Sequence, residues 1–327
     1  MSDREGDPAG MNDQADTPFI SVVIPTLNRE KELCDILCYF LNEEEYPSFE
    51  IVVIDQSEHH TGTTTTYLQS IADRIIRRTV SYKNLPKARN EGVALAQGSI
   101  IVFVDDDAMP QKGFLHAHAA PYDDASVAGV TGPVVAPQGK LVSRADIGER
   151  AYGRLLARTE MTFDVDFTFI CSWAAGGNMS FRKEVIVALG GFDEQLIGPA
   201  IGEDAEFSHR VKKSGRSIVY NPAARIIHKQ AITGGTRSGK EGIYIRNYAF
   251  NVNYFFWKVD RTWWQRYYEV SKAYRSRVAN KRNALTGRWL VLTFFFLWGV
   301  LKSDMLISGL VRQAGTTRVS GGAIAGA

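Results

Sequence analysis

Cysteine is scarce in this 327-residue chain, which holds only Cys34, Cys38 and Cys171. An odd number at spacings that fit no zinc site excludes a disulfide framework and favours a reducing cytoplasm. Cys34 and Cys38, four apart on an expected helix, read as packing thiols. An excess of charge is missing too. Lys and Arg number 38 against 36 Asp and Glu, a formal net charge of +2. That balance lacks the basic footprint of a nucleic-acid binder, and no nucleic-acid partner is expected. No signal-peptide apolar core stands near the start; residues 1–17 are polar, contain Gly6, Pro8 and Gly10, and read as a disordered tail. No Gly-x-Gly-x-x-Gly follows the first apolar run, where the turn reads Pro25-Thr26-Leu27-Asn28, so NAD and FAD are disfavoured. Long apolar runs are short as well. The most apolar stretch, 289–301, has 13 residues before Lys302 and Asp304, against about 20 for a spanning helix.

What is present is an average globular composition, 45% apolar and 23% charged, and a regular alternation of patterns. Residues 19–25 form a continuous β-branched run, the mark of a strand buried on both faces. Residues 29–41 carry Leu33, Ile36, Leu37 and Phe40 at helical spacing. Further strands are expected at 49–54, 75–80 and 99–104, with a short helix ending near Ile71 and another that has Pro86 in its first turn and Gly98 after its end. This β-α-β-α-β-α-β order predicts an α/β fold: an open, mostly parallel, Rossmann-like central sheet flanked by helices. Ligands then bind at the carboxyl ends of the strands. Polar residues collect there: Thr26 and Asn28 after the first strand, Asp55 after the second, and Asp105, Asp106 and Asp107 after the fourth.

Three adjacent carboxylates at the end of an apolar strand disfavour full ionisation, and a hard divalent cation relieves them. Asp105 and Asp107, two apart in a turn closed by Met109-Pro110, can face one ion, Mn²⁺ or Mg²⁺. A solvated acidic turn is the alternative. Gly234 with Gly239-Lys240 approaches a phosphate-loop pattern, but Glu241 stands where Ser or Thr is needed and the segment lies far from the first strand. Residues 229–242 read instead as a basic lid with Lys229, Arg237 and Lys240 available to a diphosphate. His59-His60 and His116-x-His118 read as surface residues.

Four motifs in order, Val22-Val23-Ile24-Pro25-Thr26-Leu27-Asn28-Arg29, Val52-Val53-Ile54-Asp55-Gln56-Ser57, Lys87-Ala88-Arg89-Asn90-Glu91-Gly92 and Val102-Phe103-Val104-Asp105-Asp106-Asp107, resemble the inverting family 2 glycosyltransferases of the GT-A fold. Gly176-Gly177-Asn178-Met179-Ser180-Phe181 resembles that family's acceptor-side strand, and Gly202-Glu203-Asp204 its Glu-Asp catalytic motif. The resemblance covers about residues 19–230. It implies nucleotide contacts at Pro25, Thr26, Asn28, Arg29, Asp55, Lys87, Arg89, Asn90 and Asp106, with Asp55 on the base. It implies a metal on Asp105 and Asp107, and His228, after the apolar run 224–227, resembles the histidine that completes the metal site in some members. Acceptor contacts are expected from Trp173, Gly177, Asn178 and Glu203. Asp204 is the expected general base, because a carboxylate at a helix N-terminus stays ionised.

The implied reaction is metal-dependent, inverting transfer of a hexose-type sugar from a nucleotide-diphosphate sugar to a saccharide or lipid-linked acceptor, in surface-polysaccharide assembly. A nucleotidyltransferase and an inactive nucleotide- or membrane-binding scaffold are the alternatives. The expected organisation is a GT-A domain at 18–235, with a nucleotide half (18–108) and an acceptor half (109–235), a helical segment at 236–312 and a flexible tail at 313–327. Between Ser271 and Arg288 stand six Lys and Arg residues and no acid, preceded by Trp257, Trp263, Trp264, Tyr267 and Tyr268. That pattern suits a helix lying on the anionic inner face of the cell membrane; packing into the core or against a second copy of the chain is the alternative.

Overall fold

The computed structural model describes residues 17–141, 143, 164–229, 231, 234–236, 240–259 and 261–321. The expected N-terminal tail up to residue 16, Arg237 of the expected lid and residues 322–327 of the expected C-terminal tail lie outside the described residues.

Strands β1 (Ile20–Thr26), β2 (Phe49–Asp55), β3 (Ile76–Thr79) and β4 (Ile100–Val104) lie parallel in the order β3-β2-β1-β4. Helices α1 (Lys31–Asn42), α2 (Gly62–Ser70) and α3 (Leu85–Leu95) connect them. All of β1 and β4 is buried, as a strand covered on both faces requires. Alternate side chains go to opposite layers. Val22 and Ile24 join Leu33, Ile36, Leu37 and Phe40 of α1, while Val23 joins Ala88 and Val93 of α3. Phe40 is 1% exposed, and its truncation to Ala would cost about 3–5 kcal/mol. Pro25 is tolerated inside β1 because β4 pairs with that strand only as far as Val23. Beyond Val23 the two strands part, and the gap becomes one wall of a cleft.

The sheet continues with β9 (Asn178–Arg182), antiparallel to β4 and to β6 (Val127–Thr131), then β10 (Ser217–Tyr220), parallel to β6, and β8 (Phe169–Cys171) at the edge. A small second sheet sets β11 (Ile226–His228) between β5 (Ala108–Pro110), antiparallel, and β7 (Val134–Val135), parallel. Around these lie α4 (Phe114–Ala119), α5 (Lys183–Ala188) and α6 (Glu203–Lys213).

Two of the four histidines expected at the surface are inside. His118 is fully buried, its ring nitrogens 2.9 Å from Ser180 Oγ and 3.0 Å from Asn178 Oδ1. His60 lies between Asp55 and Glu30. The partners of His118 come from the distant strand β9, and Glu30 comes from the start of α1; local sequence reveals neither. His59 and His116 are exposed.

The C-terminal part is helical: α7 (Glu241–Lys258), α8 (Trp263–Arg277), α9 (Lys281–Leu285) and α10 (Trp289–Gly321). A capping box of Thr262 and Gln265 starts α8. Ile245, Ala249, Val270, Ala273, Leu292 and Phe296 form a core separate from the sheet. The 13-residue apolar run is only the first part of α10. Lys302 and Asp304 do not end it, because Asp304 accepts from Asn253 Nδ2 and Tyr267 Oη, and apolar residues resume at Met305. By length and composition alone, 289–313 is long and apolar enough to cross a membrane, with a mean hydropathy of 1.8. The helix also runs on to Gly321, through the stretch expected to begin the tail.

Candidate active site

The register of two strand pairs builds the acidic site. Val104 pairs with Asn178, which sets Asp105 beside the Gly176-Gly177 turn; the Asp105 N–H donates to the Gly177 carbonyl at 3.4 Å. A Cβ at position 177 would lie 2.6 Å from Asp105 Oδ2, so only glycine lets the turn approach this closely. On the other side, His228 of β11 pairs with Ala108 of β5. This carries the imidazole to Asp107, with Nε2 3.2 Å from Oδ1. Ligand atoms of Asp105, Asp107 and His228 all lie within 4.8 Å of one another. Two carboxylates and an imidazole are a fitting donor set for Mn²⁺ or Mg²⁺.

The rest of the aspartate triplet is neutralised by other means. Thr26 Oγ1 donates to Asp106 Oδ2 at 2.7 Å, and the buried Arg29 guanidinium lies 3.7 Å from Asp106 and 3.3 Å from Asp107. Burial pushes the Asp106 pKa up to about 7, helped by Asp107 and Asp105 and opposed by Thr26 and Arg29. Asp107 is held below its ordinary value: burial works against ionisation, but His228 and Arg29 outweigh it. Arg29 Nε and Nη1 have no hydrogen-bond partner among the described residues.

Across the Gly176-Gly177 turn stands the start of α6. Asp204 Oδ2 accepts the Gly176 N–H at 2.9 Å, and Oδ1 accepts the Ala205 N–H at 2.8 Å. Burial raises the Asp204 pKa, with these amides and Arg89 opposing. Arg89, 1% exposed, pairs with Glu203, donates to the Gly176 carbonyl at 2.8 Å and lies 3.7 Å from Asp105. It thus spans the turn from the Asp105 side to the Glu203 side. Burial raises the Glu203 pKa to about 7, Arg89 pulling it down and Asp204 pushing it up. One cleft of 670 Å³ contains all of these groups, with walls that include Thr26, Arg29, Asp106, His228, Glu203 and Asp204.

Residues 21–187 match the sequence profile of glycosyl transferase family 2. The chain belongs to that family. It is 23% identical over 250 residues to the O-antigen biosynthesis protein RfbC of Myxococcus xanthus, across 71% of this chain and 19% of that protein. It is 30% identical over 227 residues to validoxylamine A glucosyltransferase of Streptomyces hygroscopicus subsp. limoneus, across 61% of this chain and 49% of that one. The chain therefore spans a fifth to a half of the length of these curated relatives. The fold is similar to that of the mannosyltransferase PcManGT of Pyrobaculum calidifontis, solved in complex with GDP-Man and Mn²⁺. That likeness has a TM-score of 0.52 at 17% identity, across 88% of this chain and 87% of the other.

In this glycosyltransferase the cleft gathers Pro25, Thr26, Arg29, Arg89, Asp105, Asp106, Asp107, Gly177, Glu203, Asp204 and His228. Six other expected site residues do not line it. Asp55, expected on the base, is fully buried; Oδ2 accepts from Arg77 Nη2 at 2.7 Å and lies 2.8 Å from His60 Nε2, and Oδ1 accepts the Ser57 N–H. Burial opposes its ionisation, yet His60 and Arg77 hold its pKa below the ordinary value. Its neighbour Gln56 lines the cleft instead. Asn178 is fully buried, its amide donating to the Pro133 and Ala224 carbonyls. Asn90 holds the backbone of Phe192. Lys87 is exposed, 4.5 Å over the Tyr82 ring. Asn28 is exposed at φ 51°, and Trp173 is half-buried outside the cleft wall. Arg89, expected on base or phosphate, is committed to Glu203. Lys229 of the expected lid is bonded to Asp35 at 2.7 Å. Sequence reading missed the wall 199–201; its signal is the pair Gly198 and Gly202 just before α6.

Proposed function

We propose that this glycosyltransferase moves a sugar from a nucleotide-diphosphate sugar to a hydroxyl of a saccharide or lipid-linked acceptor with inversion at the anomeric carbon. The observation that carries the reading is the Gly176-Gly177 turn, with the Asp105–Asp107–His228 donor set on one side and the Asp204 carboxylate on the other. A divalent cation on those three residues supplies positive charge beside the leaving diphosphate. The buried Arg29, with two nitrogens lacking a hydrogen-bond partner among the described residues, faces the same cleft and suits the diphosphate oxygens. Asp204 takes the proton of the acceptor hydroxyl as that oxygen bonds to the anomeric carbon, and the bond from carbon to the diphosphate oxygen breaks. The raised pKa of Asp204 makes it a better base than a surface carboxylate. Glu203, with Oε2 lacking a partner among the described residues, orients the acceptor. The similarity to an O-antigen biosynthesis protein supports a role in surface-polysaccharide assembly.

The C-terminal helices favour peripheral attachment to the inner, anionic face of the cell membrane. On α10, Leu290, Phe294, Leu297 and Leu301 are each more than half exposed and recur at helical spacing. Trp263 and Trp264 are exposed nearby in sequence, and the basic run 272–288 adds charge attraction.

The test is hydrolysis of a panel of UDP- and GDP-sugars with Mn²⁺. Asp204→Asn should lower turnover by about 10²–10⁴-fold while a nucleotide diphosphate still raises the melting temperature. Near wild-type turnover in that variant would remove Asp204 from the mechanism. Hydrolysis unaffected by EDTA would remove the metal.

A further inference from the structure

The wall of the cleft next to the base is a loop, 193–202; its first residues are tied to the sheet domain, where Asn84 Nδ2 donates to the Glu194 carbonyl at 3.0 Å and Asn90 Nδ2 to Glu194 Oε1 at 2.9 Å, and the rest is held from outside that domain. It contains Ala200 at φ 45° and 1% exposure, a left-handed conformation that a residue with a side chain keeps only when its surroundings enforce it. It also contains Gly198 at φ 58° and ends at Gly202 at φ 88°, directly before Glu203 and Asp204. What enforces this shape is α7. Asn251, fully buried, uses both ends of its amide on one loop residue: Oδ1 accepts the Ile197 N–H at 3.0 Å and Nδ2 donates to the Ile197 carbonyl at 2.8 Å. Tyr254 Oη donates to Asp193 at 3.0 Å, and Lys258 Nζ lies 2.9 Å from the same carboxylate. Leu196 and Ala200 pack on Phe250, Tyr254 and Ile307. A Cβ on Gly198 would collide with Asn247, and one on Gly202 would come 3.2 Å from Phe255. The loop then passes its position to α6: the Glu203 N–H donates to the Ala200 carbonyl at 3.1 Å and the Glu206 N–H to the Gly202 carbonyl at 2.8 Å.

We propose that Asn251 is a positioning residue for Asp204, and that α7 is thereby part of the catalytic apparatus. The chain of contacts is Asn251 to Ile197, Ile197 to Ala200 through the Ala200 N–H at 3.0 Å, and Ala200 to the first turn of α6. This rests on Asp204 as the base. It adds that the sheet domain does not hold its base in place alone: beside the Gly176 N–H on Asp204, the helical segment fixes the loop that leads into α6.

The test uses the full chain, Asn251→Leu (similar size, neither hydrogen bond) and Tyr254→Phe (packing kept, the Asp193 bond lost). The readouts are Mn²⁺-dependent hydrolysis of UDP- and GDP-sugars and amide hydrogen exchange. Asn251→Leu should lower turnover by about 10- to 100-fold at a KM for the nucleotide sugar within about twofold of wild type. Exchange should speed up at 196–203 and stay unchanged in β1 to β4. Tyr254→Phe should show the same pattern at smaller amplitude. Wild-type turnover in Asn251→Leu overturns the proposal. So does a parallel loss of turnover, donor affinity and protection throughout the sheet, which marks a fold defect. If Asn251→Leu does not fold, Tyr254→Phe decides by the same criteria. If the wild-type chain hydrolyses no nucleotide sugar, the reading of the reaction has failed. Exchange then decides the clasp separately: a change confined to 196–203 upholds it, and a uniform change overturns it.

Discussion

His228 Nε2 stands 3.2 Å from Asp107 Oδ1, and the contact exists because His228 and Ala108 are partners in a three-residue antiparallel ladder. Strand side chains alternate faces, so a slip of one residue would turn the imidazole away. The small sheet therefore acts as a jig for the His228 imidazole. The Ala231 N–H, 3.1 Å from Asp107 Oδ2, and the Lys229 N–H, 2.9 Å from the Asp107 carbonyl, hold the same register.

Removing either end of that contact should remove the response to metal. In His228→Ala and Asp107→Asn, affinity for Mn²⁺, read as the rise in melting temperature with added ion, should fall by at least about tenfold. Hydrolysis should fall with it. A wild-type Mn²⁺ titration in both variants would place the ion elsewhere.

Gly177→Ala is a finer probe of the same site. Its methyl would stand 2.6 Å from Asp105 Oδ2, so Asp105 or the turn must shift. Turnover should drop by roughly 10- to 100-fold, the usual effect of a small misplacement of reacting groups. Gly62→Ala, with nothing within 4 Å, should leave turnover unchanged. Equal activity in the two variants would mean that the turn does not set the position of Asp105.

His118 predicts a pH dependence of stability. Burial pushes its pKa down to about 4, with the Asn178 hydrogen bond opposing. The unfolded histidine titrates near its ordinary value. As pH falls below about 6.5 the unfolded state gains a proton that the folded state refuses, so stability is lost down to about pH 4 and the loss then levels off. The span corresponds to about 3 kcal/mol. His118→Gln should be less stable than wild type at pH 7, through lost packing and hydrogen bonds, and the gap should narrow by that amount at pH 4. Urea denaturation at the two pH values gives the comparison; a constant gap would show that His118 does not titrate in this way.

The exposed row on α10 predicts vesicle binding. Phe294→Asp with Leu297→Asp, at positions 63% and 55% exposed, should abolish co-sedimentation with phosphatidylserine vesicles without lowering the melting temperature. Each lost apolar contact is worth about 1.5–3 kcal/mol at most. Binding should also weaken with salt, since the basic run 272–288 contributes through screened charge. If the wild-type chain ignores vesicles but sediments as a dimer that this pair dissociates, the face belongs to a second copy.

The core of the fold was legible because its signals are local. Continuous β-branched runs at β1, β2 and β4, the helical spacing of Leu33, Ile36, Leu37 and Phe40, and Pro86 near the start of α3 each depend on a few neighbouring residues. Asp105, Asp107, Asp204 and His228 were legible because each follows a strand or opens a helix. The six residues that left the cleft were not, because motif membership says nothing of direction. Asp55 ends the same strand that carries Gln56 to the cleft, yet Arg77 and His60 turn its carboxylate inward. The length of α10 was misjudged from Lys302 and Asp304, since the partners of Asp304 lie on α7 and α8.

The sequence alone therefore determined the alternation of strands and helices, the carboxylates at the strand ends and the acid that opens α6, all set by periodicity and by the few backbone states open to each short segment. Only the tertiary structure decided that Asn251 grips Ile197, that Arg89 serves Glu203, and that His228 meets Asp107. Those relationships depend on strand register and helix packing between segments far apart in the chain, and no local propensity encodes the distance between two such segments.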